Sequence, residues 1–171
     1  MRDLCAMMLL VRGENMEKFI TGVLVQNKAG ATYEDVVYDR RLMIRLPDSH
    51  ELSIFDFADP ISTELHTDEV YTMVLIPFVV SVNLVLAPSL SGGIGETTKS
   101  NSWQGTVIDS NWEAPKDAFH LVRAELYEQR WLLVATSYGN LILKLGIVEM
   151  ALSAGTVIQW ENTRLDLYAV V

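Results

Sequence analysis

The run Met73-Val-Leu-Ile-Pro-Phe-Val-Val-Ser-Val-Asn-Leu-Val-Leu-Ala87 decides how the rest of the chain is read. As a helix it would have to cross a membrane, and a spanning helix needs about 20 consecutive apolar residues. This run has fifteen, holds Pro77 and Asn83, and follows Asp68 and Glu69. Branched residues dominate it, which suits a strand. Its apolar side chains stand at consecutive positions, so the strand is expected to be buried on both faces, between units or between subunits.

Working outward, Phe19-Ile-Thr-Gly-Val-Leu-Val25, Arg41-Leu-Met-Ile-Arg-Leu46 and Glu51-Leu-Ser-Ile-Phe-Asp-Phe57 carry the same branched and aromatic signature. Turn residues separate them, and Pro47-Asp-Ser-His50 predicts a hairpin between the second and third. In Glu51–Phe57 the apolar positions change face midway, from Leu52 and Ile54 to Phe55 and Phe57. That predicts a bulge or a change of neighbour near Phe55. Asp59-Pro-Ile-Ser-Thr-Glu-Leu65 suits one helical turn, because proline is favoured at an early helical position.

The pattern then returns. Trp103-Gln-Gly-Thr-Val-Ile108 echoes Phe19–Leu24 as an aromatic, a glycine and an apolar run. His120–Leu126 with Arg130–Thr136 is expected in the place of the first hairpin, and Leu152–Trp160 with Arg164–Val170 in the place of Leu65–Tyr71 and the long apolar run. Residues 140–152 have apolar positions at 141, 145, 148 and 152, a helical spacing interrupted by Gly146, so a short helix or a further strand is expected there. The reading is an all-β chain with minor helix: two tandem small β-barrel-like units of OB or SH3 type, which dispose of sheet edges. A single β-sandwich is the alternative. The expected boundaries are an N-terminal extension at 1–18, a first unit at 19–88, a linker at 89–102 and a second unit at 103–171.

The linker tests a chemical reading. Ser89-Leu-Ser-Gly-Gly-Ile-Gly-Glu-Thr-Thr-Lys-Ser-Asn-Ser102 has the spacing of a phosphate loop from Gly93 to Lys99 and Ser100, but Thr98 stands where the second glycine is required. A strand, not a helix, is expected to follow, so no helix N-terminus is there to face a phosphate. A Gly/Ser/Thr joint, cut first by proteases, is the better reading.

Half the residues are apolar, a fifth are charged, and the mean hydropathy is +0.21. This excludes general disorder and suggests that some apolar surface meets a partner. Thirteen basic residues against twenty-two acidic give a net charge of -9, a field that repels polyphosphates and anionic membranes. Cys5 is the sole cysteine, so no intrachain disulfide or cysteine-rich zinc site is possible, and a reducing cytoplasmic location is expected. The apolar octet Leu4–Val11 lacks the cleavage site of a secretory leader.

No nucleophile elbow, histidine pair or other cofactor signature is present, and no cofactor is implied. The weak candidates for a hard cation are Asp56, Asp59, Asp68 and Glu69 in one acidic stretch. The candidates for an interface or ligand surface are Arg123, Arg130, Trp131, Trp112 and Trp160, because aromatic and arginine side chains anchor interfaces. The lack of a catalytic constellation, the acidic charge and the apolar excess imply a non-catalytic binding or assembly module that meets a protein partner or copies of itself. Single-stranded nucleic-acid binding by tandem barrels and a metal-dependent enzyme using the 56–69 loop are the alternatives. The charge weighs against nucleic acid, and no membrane role is expected.

Overall fold

The computed structural model describes residues 18–84, 102–144 and 152–171. The apolar octet near the N-terminus and nearly all of the linker lie outside the described residues. Within them the chain is all-β, as expected, with two single 3-10 turns at Ile61–Glu64 and Ala124–Tyr127.

In the first half, β1 (Ile20–Ala29) pairs antiparallel with β4 (Asp39–Arg45), and β4 with β5 (Glu51–Phe57). Between β1 and β4 a small arm carries β2 (Thr32–Tyr33) and β3 (Val36–Val37). The long β6 (Val70–Leu84) returns to pair with β1. In the second half, β7 (Ser102–Trp112) pairs with β9 (Trp131–Thr136), and β9 with β10 (Gly139–Lys144). The long β11 (Val157–Val170) returns to pair with β7. The short β8 (Leu121–Val122) rests against the end of β11.

The duplication is visible in the register. Leu24 opposes Ile44, Val107 opposes Val134, and in both ladders the next residue, Val25 or Ile108, is left out as a bulge. Leu24 donates its N–H to Glu69 O at 2.9 Å and accepts from Asp68 N–H at 2.7 Å. Val107 does the same with Thr156 O at 2.8 Å and Gly155 N–H at 2.9 Å. Asp68 and Gly155 both hold positive φ, 68° and 88°, at the equivalent turn. The correspondence drawn from the sequence is corrected in one place. The second hairpin is β9–β10, not His120–Leu126 with Arg130–Thr136; of the two alternatives for the 140–152 stretch, residues 140–144 take the strand.

The two long strands tie the halves together. β11 pairs with β6 from Ile158 opposite Leu84 to Val170 opposite Met73, and also runs parallel to β5 at Ile54 and Phe55. The circuit β6–β1–β4–β5–β11–β6 is therefore closed, and its fifth strand comes from the second half. Two tandem barrels, each closed on its own strands, are not confirmed by this pairing. The change of neighbour expected near Phe55 is the arrival of β11; the β4–β5 ladder itself runs without a bulge.

One interior core unites Ile20, Leu24, Leu42, Ile44 and Ile54 with Trp103, Val107, Leu132, Val134 and Trp160. A second, outer cluster holds Val74, Ile76, Trp131, Leu133, Ile142 and Ala169. Thus β6 sends Met73 and Leu75 to one core and Val74 and Ile76 to the other. The burial on both faces expected for this run is supplied within the chain up to Pro77. The connection from 113 to 130 helps cover the outer cluster through Ala114, Phe119, Val122 and Leu126. The equivalent positions of the first half are Arg41, Met43 and Ser53, of which Arg41 and Ser53 are exposed. The apolar outer residues of the first half's hairpin are instead Phe55 and Phe57, further along β5.

Candidate functional site: an aromatic and arginine face

Trp112, Trp131 and Trp160 are buried, as is Trp103, and Trp131 is fixed by donating Nε1–H to Leu126 O at 3.0 Å. As buried side chains they offer no stacking or docking surface; their apolar area serves the two cores. Arg123 is buried too. Its Nε–H donates to Leu167 O at 2.9 Å, Nη1 donates to Ala58 O at 3.2 Å, and Nη2 donates to Asp56 Oδ1 and Phe57 O. It clamps the second half onto the end of β5. Arg130 forms an exposed ion pair with Glu113 at 2.9 Å.

The acidic stretch is likewise dispersed. Asp56 is buried and, besides Arg123, accepts the N–H of Ser62 at 2.7 Å. Glu69 accepts the hydroxyl of Tyr71 at 2.6 Å. Asp59 and Asp68 sit in exposed positive-φ turns. Among the described residues no group of three or more His, Cys, Asp or Glu side chains could hold a metal ion.

The structure assembles a different surface. Strand alternation puts Phe55 and Phe57 of β5 on the outer side, and β11 lies alongside with Arg164 and Asp166. The Arg164 guanidinium carbon stands 4.9 Å from the Phe55 ring centre, 5.7 Å from Phe57 and 5.1 Å from Phe78 of β6. Such contacts are worth about 0.5–2 kcal/mol each, more where water is excluded. Arg164 Nη2 donates to Asp166 Oδ2 at 3.2 Å, while Nε lies 2.7 Å from Oδ1 but out of line for a hydrogen bond. Burial pushes the Asp166 carboxyl above the usual carboxylate range, against the downward pull of Arg164 and Arg123.

Beyond Arg164 the cover given by residues 113–130 stops, and β6 emerges with Phe78 at 56% and Val80 at 62% exposure. Arg41 lies across the β4–β5 ladder from Phe55, exposed and without an ion-pair or hydrogen-bond partner among the described residues. This face therefore has aromatic anchors in the middle and cations at the rim, the composition that interfaces favour. Phe78 was legible as part of the apolar run and Phe55 as the point where the faces change. Arg164 gave no signal, since its partners come from two distant strands.

Two clefts lie where the hairpin tips meet, with His50 and Tyr138 edge to face at 6.0 Å. The larger, about 480 Å³, is lined by Phe19, Thr21, Pro47, Thr136 and Tyr138 among others. The smaller, about 300 Å³, lies between Ser53, Trp103, Asn162 and Arg164. Among the described residues no helix is long and apolar enough to cross a membrane. Comparison with models of known families and with curated proteins returns no match.

Proposed function

We propose that this chain is a non-catalytic binding module that acts through protein contacts and associates with copies of itself. The observation that supports this reading is the uncovered end of the outer layer, where Phe78 and Val80 continue an apolar surface that residues 113–130 bury elsewhere. Exposed apolar surface contiguous with a core favours a partner, because each covered phenyl ring leaves water. All four tryptophans are buried, which weighs against single-strand nucleic-acid binding, since that mode stacks bases on exposed aromatic rings. The dispersal of the acidic stretch weighs against the metal-dependent reading.

Light scattering on a size-exclusion column at micromolar concentration tests the proposal. A dimer or higher assembly in the full chain, lost in Phe78→Ser, is the expected result. A monomer at every concentration up to about 100 μM, well above typical dissociation constants for a working assembly, sinks it.

A further inference from the structure

The exposed face is too small to hold two copies together alone. A stable interface buries about 800 Å² on each partner, and a phenylalanine, even fully covered, supplies at most about 200 Å². Phe55 and Phe57 are already half-buried, so Phe78 and Val80 provide most of what is free. A further apolar element must contribute.

The β2–β3 arm is that element. Tyr33 is 65% exposed, Val36 53% and Tyr38 49%. Tyr33 opposes Val36 in the ladder, and Tyr38 lies two residues beyond Val36, so all three share one face of the hairpin. The tip residues Glu34 and Asp35 both hold positive φ, 49° and 62°, in a two-residue turn, and put two negative charges at the end of the arm. The same alternation places Asp39, Arg41 and their cross-strand neighbours Phe57 and Phe55 on the opposite side. The apolar side of the arm thus points away from the aromatic face of its own chain. A second copy brings the two together without any change within either chain.

We infer that the β2–β3 arm of one copy lies across the Phe55–Phe78–Arg164 face of a second copy, with Glu34 and Asp35 directed at Arg41 and Arg164. Two-fold symmetry makes the contact reciprocal: each copy gives an arm and receives one. The acidic tip meets the uncompensated cation Arg41, so the contact is attractive locally although each chain carries a net charge of -9. The inference rests on the self-association proposed above and names the surfaces that carry it.

The test uses the full chain and its variants in sedimentation or light-scattering measurements of the dimer constant. Tyr33→Ser with Val36→Ser is expected to give a monomer with an unchanged circular dichroism spectrum, since both side chains are exposed. Glu34→Lys alone and Arg41→Glu alone are each expected to weaken the dimer about tenfold, and the two together to recover most of the loss. A wild-type dimer that persists in the Tyr33→Ser, Val36→Ser variant overturns the arm contact while leaving self-association standing. A monomeric wild type overturns both.

Discussion

Arg123 shows how much of a residue's meaning lies outside its neighbourhood. Its partner Asp56 is 67 positions away, so the sequence displayed an acidic stretch without the cation that neutralises its buried member. The same distance hid the reason for the face change in β5: an aspartate continues the inward alternation because a buried arginine meets it. Removing one partner of such a pair leaves an uncompensated charge in the core. Arg123→Ala is expected to cost about 3–5 kcal/mol, measured by urea unfolding, whereas the exposed Arg130→Ala should fall within about 1 kcal/mol. Equal losses in the two variants would remove the distinction between clamp and surface pair. Asp166 makes a prediction of opposite sign. Burial raises its pKa above the ordinary 3.8, so the folded state holds this proton more tightly than the unfolded state. Its contribution to stability is greatest below 3.8, declines as pH rises through the raised value, and is constant above it. Wild type should therefore lose stability relative to Asp166→Asn across that window, and a difference that is flat or grows with pH contradicts the assignment.

At the scale of elements, the duplication was legible where backbone geometry constrains residue type. A Cβ at Gly22 would stand 2.8 Å from Arg45 O, and one at Gly105 would stand 2.6 Å from Ala135 O. Each glycine lets its strand cross close over the hairpin strand three residues before the bulge, so both halves keep it. Gly22→Ala and Gly105→Ala are each expected to destabilise the fold by about 1–3 kcal/mol. A loss at one site and none at the other would mean that the equivalent ladders are not equally tight. The second hairpin was not legible for a related reason. Leu141, Ile142 and Leu143 are all buried, two toward the interior core and one toward the outer cluster. A strand covered on both faces has no alternation, and its apolar positions then match a helical spacing by accident. The apolar run of β6 was free of that ambiguity because Pro77 and its length excluded a spanning helix. What covers β6 could not be read, since the cover comes from the 113–130 connection, whose positional counterpart in the first half is the β2–β3 arm and does not resemble it.

For the whole molecule the decisive contact is β6 against β11. Together they run antiparallel over most of their length, and β11 also completes the ring that β1, β4 and β5 begin. The interior core draws side chains from both halves, with Trp160 and Met73 both fully buried in it. Two units joined only by a flexible segment would unfold separately and part when that segment is cut. Interleaved halves would do neither, because separating them exposes the shared core at about 25 cal/mol per Å² of apolar area. Cleavage within residues 89–101 by a protease at low ratio is therefore expected to leave two fragments that co-elute in native size-exclusion chromatography and separate only in denaturant. Tryptophan fluorescence reports the second half alone, since all four tryptophans follow the linker. It should nonetheless give the same urea midpoint as far-ultraviolet circular dichroism, which reports both halves. Fragments that elute apart without denaturant, or two distinct midpoints, would show that the halves stand by themselves and that the β6–β11 seam is too weak to unite them.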